Sequence, residues 1–301
     1  MKWRGREEST NVEDRRGRSR SSMGGKSVIV GGLGIVFLLI YFLLGGDIGS
    51  YLNQTQVTDP YPQSTTQYSK EEEDLVDFVS VVLADTENLW NELLSKEGLE
   101  YEEPILVIFS EFVQSACGVA GSSTGPFYCP GDQKVYIDLS FFQDMQSRFQ
   151  MNGDFAMAYV IAHEVGHHVQ NQVGIMEQIE QLRPRLSDKE NNQLTVRLEL
   201  QADYLAGVWA HFVEDLDLLD EGDIEEALNA ASAIGDDRIQ KQTQGYVVPD
   251  SFTHGTSKQR SSWFYKGYIE GDLDLWDTFS IPYEDLKISQ DEQQGFTLIF
   301  R

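Results

Sequence analysis

The segment HEVGH, at positions 163–167, constrains the fold of this 301-residue chain more than any other feature. It lies inside a stretch from about 154 to 172 whose apolar pattern predicts a helix. Residues four apart share one face of a helix, so His163 and His167 can bind one zinc ion. Glu164 then lies beside the metal, where its carboxylate can take a proton from a zinc-bound water. Because the chain has only five histidines, this spacing rarely arises by chance.

The next predicted helix, from Asp188 to about Glu214, supplies a third ligand to this zinc site. A catalytic zinc has three protein ligands and keeps one position for water. A third histidine six residues after the second is excluded, because that position is Val173. The segment ELQAD places Glu199 and Asp203 on one face of the helix; Glu199 completes a site of two histidines and one glutamate. Asp203 can accept the distal N–H of a ligating histidine.

The remaining histidines have different interpretations. His168 points away from the face of the motif and is predicted to be a supporting or surface residue, and His211 a structural one. His254, in FTHGTSKQR, is a candidate catalytic residue that could hydrogen-bond the oxyanion formed on a peptide carbonyl; a packing or helix-capping role stays open. Arg260, in the same segment, is predicted to pair with a carboxylate. Gly166 disfavours a helix and indicates that another element approaches closely.

Residues 27–46, SVIVGGLGIVFLLIYFLLGG, carry no charge and are predicted to form one transmembrane helix. As a helix, Val28–Leu44 would rise about 25 Å, enough to cross a bilayer core. Residues 1–26 have a net charge of about +4 and are predicted to form a basic cytoplasmic tail. A polar linker at 47–68 would then connect the anchor to one domain, 69–301, on the periplasmic side of a bacterial cell membrane.

The charge outside the basic tail is strongly negative. The whole chain has 23 Lys and Arg against 49 Asp and Glu, a net of −26, so the remainder carries about −30. Such a surface repels phosphate backbones, and binding of nucleic acid is therefore not expected.

Cys117 and Cys129 are the only cysteines and lie close together in a Gly/Ser/Pro-rich stretch of the predicted exported part. They are predicted to form a disulfide, with two unpaired thiols as the alternative. Two β-branched and aromatic runs, Ile105–Phe109 and Lys134–Leu139, flank this stretch and are predicted strands. The second strand is a candidate edge along which an extended substrate could add.

Further helical patterns run through residues 70–94, 224–242 and 258–270, with Gly98 as the stop after the first. The segment from Leu273 onward has no clear period. Together these elements predict an α+β fold, mainly helical with a small sheet.

Several motifs, in chain order SACG, GPFYCP, HEVGHHVQ, RLELQAD followed by AGVWA, and FTHGTSKQR, resemble those of the bacterial neutral zinc metallopeptidase family. The resemblance covers nearly the whole chain. It implies a single-pass bacterial membrane protein whose catalytic domain is zincin-like, of the gluzincin type.

The expected function is that of a zinc metalloendopeptidase with one Zn²⁺, acting on protein or peptide substrates. Glu164 would serve as the general base. Two alternatives stay open: a non-catalytic envelope interaction protein stabilised by zinc, and a zinc hydrolase of a non-peptide amide such as a cell-wall linkage.

Overall fold

The computed structural model describes residues 1–17, 68–149 and 153–286, except for the side chains of residues 148 and 149. Helices dominate this part of the chain, and a small sheet lies beside them, which confirms the predicted α+β class. The helices are α1 (Lys70–Lys96), α2 (Ser140–Phe149), α3 (Asp154–Gln172), α4 (Ile175–Leu182), α5 (Asp188–Asp215), α6 (Asp223–Ala233), α7 (Asp236–Gln244) and α8 (Ser257–Glu270). The strands are β1 (Val12–Asp14), β2 (Ile105–Phe109), β3 (Phe112–Ser115), β4 (Gly118–Gly121), β5 (Phe127–Cys129) and β6 (Lys134–Asp138).

The main sheet has the strand order β1-β2-β6-β5, with only β5 antiparallel to its neighbour. Its central strands β2 and β6 are nearly all buried, as their β-branched and aromatic sequences predict. The prediction that β6 offers a free edge to a substrate is wrong. Tyr136 of β6 is aligned with Val107 on one side and with Phe127 on the other, so both edges of the strand are paired. Among the described strands, β5 is the edge strand on the side of the sheet next to β6.

A disulfide joins Cys117 to Cys129, as predicted. Cys117 lies in the turn of the separate β3–β4 hairpin, and Cys129 ends the edge strand β5. The bond therefore fastens the hairpin to the edge of the main sheet.

Removing this disulfide should lower stability. The double substitution Cys117→Ser and Cys129→Ser is expected to reduce the free energy of unfolding by about 3 kcal/mol, because the crosslink restricts the unfolded chain. Denaturant unfolding, followed by circular dichroism with and without reductant, measures the difference. Reductant should destabilise the wild type and leave the double variant unchanged; equal stability of all four samples would show that packing alone holds the hairpin.

Helix α3 lies at the centre of the fold, packed against α1, α5, α6 and the β5–β6 side of the sheet. Close helix contacts depend on glycines. A Cβ added at Gly166 of α3 would lie 3.1 Å from the carbonyl oxygen of Ala202 in α5, so the predicted close approach at Gly166 is confirmed. A Cβ at Gly207 of α5 would lie only 2.0 Å from the carbonyl oxygen of Phe264 in α8. These two contacts bring α3, α5 and α8 together around one small region.

The pattern predicted as one helix over 224–242 is two helices, α6 and α7, that meet at Gly235. A Cβ at Gly235 would lie 2.2 Å from the backbone nitrogen of Ser257, at the start of α8. The chain turns there because α8 comes into direct contact with it. The helices predicted over 70–94, 154–172, 188–214 and 258–270 and both predicted strands agree with the structure to within a few residues.

Residues 1–17 pack against the body of the domain, so the predicted separate tail is wrong for these residues. Strand β1 pairs with β2, with Val12 aligned to Leu106. Arg6 forms an ion pair with buried Asp85, and the ring of Trp3 packs edge-on against Phe78 at a centroid distance of 5.5 Å. The basic side chains of this segment therefore serve partly to neutralise acids of the domain.

The predicted transmembrane helix and most of the linker lie outside the described residues. Within the described part of the chain, none of the helices combines the length and the apolar character needed to cross a bilayer.

Candidate metal centre

The helices α3 and α5 bring the predicted zinc ligands together where they cross. His163 and His167 lie one turn apart on α3, and Glu199 lies one turn before Ala202, the residue that contacts Gly166. Nε2 of His163 is 3.2 Å from Oε2 of Glu199, and Nε2 of His167 is 3.6 Å from Oε1. The side chains of His163, His167 and Glu199 are 8%, 12% and 13% exposed, so all three are largely shielded from bulk water.

These donors fit a zinc ion. Neighbouring ligand atoms around a tetrahedral zinc are about 3.3 Å apart, since each lies about 2.0 to 2.1 Å from the metal. One potential ligand atom from each of His163, His167 and Glu199 lies within 4.8 Å of the others, and the two histidine–glutamate distances, 3.2 and 3.6 Å, are near the tetrahedral value. Two imidazoles and one carboxylate also match the ligand types that zinc prefers.

The second nitrogen of each imidazole ring is held by an acceptor. Nδ1 of His163 is 2.9 Å from Oδ1 of Asp203, and Nδ1 of His167 is 2.8 Å from Oε1 of Gln170. Acceptors at both Nδ1 atoms favour the tautomer in which Nδ1 carries the proton. The lone pairs of both Nε2 atoms are then free to bind a metal on the side of Glu199.

Asp203 accepts several further hydrogen bonds although it is fully buried. Its carboxylate lies 2.6 Å from the hydroxyl of Tyr159 and 2.9 Å from both Nε and Nη2 of Arg260. The predicted pairing of Arg260 with a carboxylate is thus present. Burial alone would raise the pKa of Asp203, but the charges of Arg260 and His163 hold that pKa below its ordinary value. Asp203 is therefore an ionised acceptor for His163.

The charges around the centre favour a cation. Burial acts to lower the pKa of His163, yet the nearby carboxylates of Asp203 and Glu199 raise that pKa to about 9. Burial acts to raise the pKa of Glu199, but His254, His167 and His163 hold it well below its ordinary value. Glu199 is therefore an ionised, negatively charged donor at neutral pH.

His254 is 12% exposed and lines a cavity whose wall also includes His163, His167 and Glu199. Its backbone N–H donates to Oδ2 of Asp236 at 2.6 Å, and its Nδ1 is 3.1 Å from the hydroxyl of Thr253. The structure thus brings the segment before α8 to the metal centre. A contact of His254 with the transition state stays a prediction.

His168 was predicted to be either a supporting or a surface residue. It is fully buried, so the surface alternative is wrong. Its Nδ1 is 3.0 Å from the hydroxyl of Tyr128, and its Nε2 is 2.6 Å from the carbonyl oxygen of Glu102. It links α3 to the edge strand β5. The ring of His211 is 2.8 Å from the carbonyl oxygen of Tyr268, consistent with its predicted structural role.

Sequence reasoning did not find Gln170 and Tyr159, the partners of His167 and Asp203. Both have a helical signal: Gln170 follows His167 by three residues, and Tyr159 precedes His163 by four, so they share the face of the motif. Polar side chains at these offsets from a metal-binding pair could have been proposed as its support.

The substitution Asp203→Asn is expected to weaken zinc binding about 10- to 100-fold, because the amide cannot match the charge that orients His163. It should also destabilise the fold, since Arg260 would lose its buried counter-charge. Chelator competition measures the first effect and thermal unfolding of the zinc-free protein the second. The exposed pair of Lys189 and Asp250 supplies a control, Asp250→Asn, that should change neither quantity. If Asp203→Asn binds zinc as tightly as the wild type, Asp203 does not orient His163 for metal binding.

An HExxH helix facing a glutamate of a second helix is the donor set found in zinc metallopeptidases of the thermolysin type. The family model described as "Putative neutral zinc metallopeptidase" matches residues 1–279, and the chain belongs to this family. The protein YpfJ of Escherichia coli (strain K12) is 50% identical over 283 residues, 93% of this chain and 99% of that protein. Rv2575 of Mycobacterium tuberculosis (strain H37Rv) is 44% identical over 191 residues, 60% of this chain and 64% of that protein. No solved structure matches the chain significantly.

Proposed function

We propose that this protein is a zinc metalloendopeptidase with one zinc ion held by His163, His167 and Glu199. The observation that carries the proposal is the arrangement of the two Nε2 atoms on either oxygen of Glu199, with both Nδ1 atoms held by acceptors. Three protein ligands leave room for a water, whereas structural zinc sites are normally closed by four. This difference favours catalysis over a purely structural metal.

Zinc, when bound, polarises a scissile carbonyl and lowers the pKa of a water towards about 7. Glu164 follows His163 on α3 and lines the same cavity as the three ligands. Its carboxylate accepts a proton from the attacking water and delivers it to the leaving amine. His254 lines the same cavity, and its ring can donate to the carbonyl oxygen as negative charge develops.

The edge strand β5 gives a substrate backbone a place to bind. One side of β5 pairs with β6, and residues directly before and after β5 line the cavities next to the metal centre. An extended peptide can therefore add beside β5 and pass over Glu164. A membrane anchor at 27–46 and a position outside the cytoplasm accompany this proposal as predictions from the sequence.

A cleavage assay with the purified full chain tests the function. The zinc-loaded protein is incubated with a peptide library, an unfolded protein and purified cell wall, each with and without a chelator. We expect cleaved peptides, loss of cleavage with chelator and recovery when zinc is returned. Zinc-dependent thermal stabilisation with no cleavage of any material would support the envelope interaction protein, and release of cell-wall fragments alone would support the non-peptide amide hydrolase.

A further inference from the structure

An apolar cavity of about 140 Å³ lies on one side of the metal centre. Its apolar wall comes from α2, α3, α6 and α7 and the residue after α6, namely Phe141, Met145, Val160, Ala230, Ile234 and Ile239. An apolar cavity of about 150 Å³ in a protein can hold a benzene molecule. The apolar cavity is thus large enough for the side chain of a leucine or a phenylalanine.

A second cavity of about 150 Å³ also adjoins the centre, and its lining residues come from β5, α3, α4 and the first half of α5. Met176, Ile179 and Leu198 form its apolar part, and an ion pair between Arg183 and Glu180 lies among its lining residues. Within the described chain, the two cavities share only Glu164, His167 and Glu199 in their walls. The proposed base and two of the ligands therefore separate two places where substrate residues can bind.

The segment from residue 122 to residue 130 runs past both cavities. Residues 122–126 line the apolar cavity, and Tyr128 and Pro130 line the second one. This segment is held in place from two directions: the disulfide at Cys129 fastens it to the hairpin, and the hydroxyl of Tyr128 is 3.0 Å from both Nδ1 of His168 and Nδ2 of Asn171. An extended peptide lying along it would have residues on both sides of the metal centre.

From these features we propose that the substrate is an internal stretch of extended polypeptide with a large apolar side chain in the apolar cavity, next to the scissile bond. This inference rests on the proposed function and adds its substrate class. A charged side chain in the apolar cavity would lose hydration against the apolar wall, so it is disfavoured. Asp144 also lines this cavity, and it already interacts with another group of the protein. Small side chains are disfavoured because they leave the apolar cavity partly empty.

The test compares Ile234→Lys with Ile269→Lys. Ile234 is half-buried and lines the apolar cavity, whereas Ile269, on α8, is 54% exposed and lines neither cavity. The zinc-loaded wild type and both variants digest a peptide library, and mass spectrometry locates the cleaved bonds. In the wild type we expect cuts inside peptides, with leucine, phenylalanine or methionine favoured over alanine at one position beside the cut by about tenfold or more in kcat/KM. Ile234→Lys should remove this preference and favour glutamate there; Ile269→Lys should keep it.

Binding to the Glu164→Gln protein supplies a second measurement that does not depend on turnover. Fluorescence anisotropy of labelled peptides with leucine or alanine at the selected position should show tighter binding of the leucine peptide, lost when Ile234→Lys is added. Cleavage without an apolar preference, or a preference that survives Ile234→Lys, overturns this inference and leaves the proposed function standing. If the wild type releases only terminal residues of the peptides, the proposal that it binds an internal stretch of the substrate is wrong. Apolar-dependent binding with no cleavage by the wild type overturns the proposed function and keeps the apolar cavity as a binding site.

Discussion

Protein carrying Glu164→Gln is expected to bind zinc as the wild type does and to hydrolyse peptides about 100- to 10,000-fold more slowly. The glutamine keeps the size of the side chain but cannot accept and return a proton. Glu164 is not among the clustered donors of His163, His167 and Glu199, so the metal should stay bound. Zinc content by atomic absorption and kcat on a cleaved peptide measure the two properties separately.

Glu100→Gln is the matched control for this experiment, because Glu100 is exposed and lines neither cavity. It should leave zinc content and kcat unchanged. If Glu164→Gln retained the wild-type kcat, another group would have to move the proton, and the proposed role of Glu164 would be wrong.

Glu199→Gln is expected to lower the affinity for zinc by about 100-fold or more, beyond the loss that supporting residues such as Asp203 produce. The carboxylate of Glu199 is the negatively charged member of the donor set, and its low pKa keeps it charged at neutral pH. A neutral amide oxygen removes that charge from a buried site that also contains the guanidinium of Arg260, 3.8 Å from Oε2. Competition with a chromophoric chelator gives the affinity.

The relative loss of zinc affinity in the two variants distinguishes a residue that binds the metal, Glu199, from one that orients a ligand, Asp203. Glu199→Gln should lose more zinc affinity than Asp203→Asn, and added zinc should restore activity to the Asp203 variant first. Equal affinity of the wild type and Glu199→Gln would show that the metal is held without this carboxylate.

The helices at the metal centre could be predicted because their signals are local. HEVGH and ELQAD each follow the helical period, and a glycine inside a helix, Gly166, indicates a close contact with another element. The sequence could not show that this partner is Ala202 of α5, because that contact depends on how two distant helices cross. The closeness of Glu199 to both imidazole rings follows from the same crossing.

Elements that depend on distant pairing were harder to predict. The sequence of β6 predicts a strand, yet its place between β2 and β5 depends on two other segments, and the edge was assigned to the wrong strand. The break at Gly235 comes from contact with the start of α8. The hydrogen bonds of Asp236 to the segment of His254 have no signal in spacing, since the residues are 18 positions apart and lie in different elements.

The pairing of β1 with β2 has a consequence for topology. Arg16 stacks on the ring of Tyr68 at 3.9 Å and forms an ion pair with Glu73, so residues 17 and 68, which flank the segment 18–67, lie close together on the domain. One passage through a bilayer between these residues would put β1 and β2 on opposite faces of the membrane. Whenever the two strands are paired, residues 1–17 and the metal centre share one aqueous compartment. A cytoplasmic amino terminus combined with a periplasmic metal centre therefore requires molecules in which β1 has left the sheet.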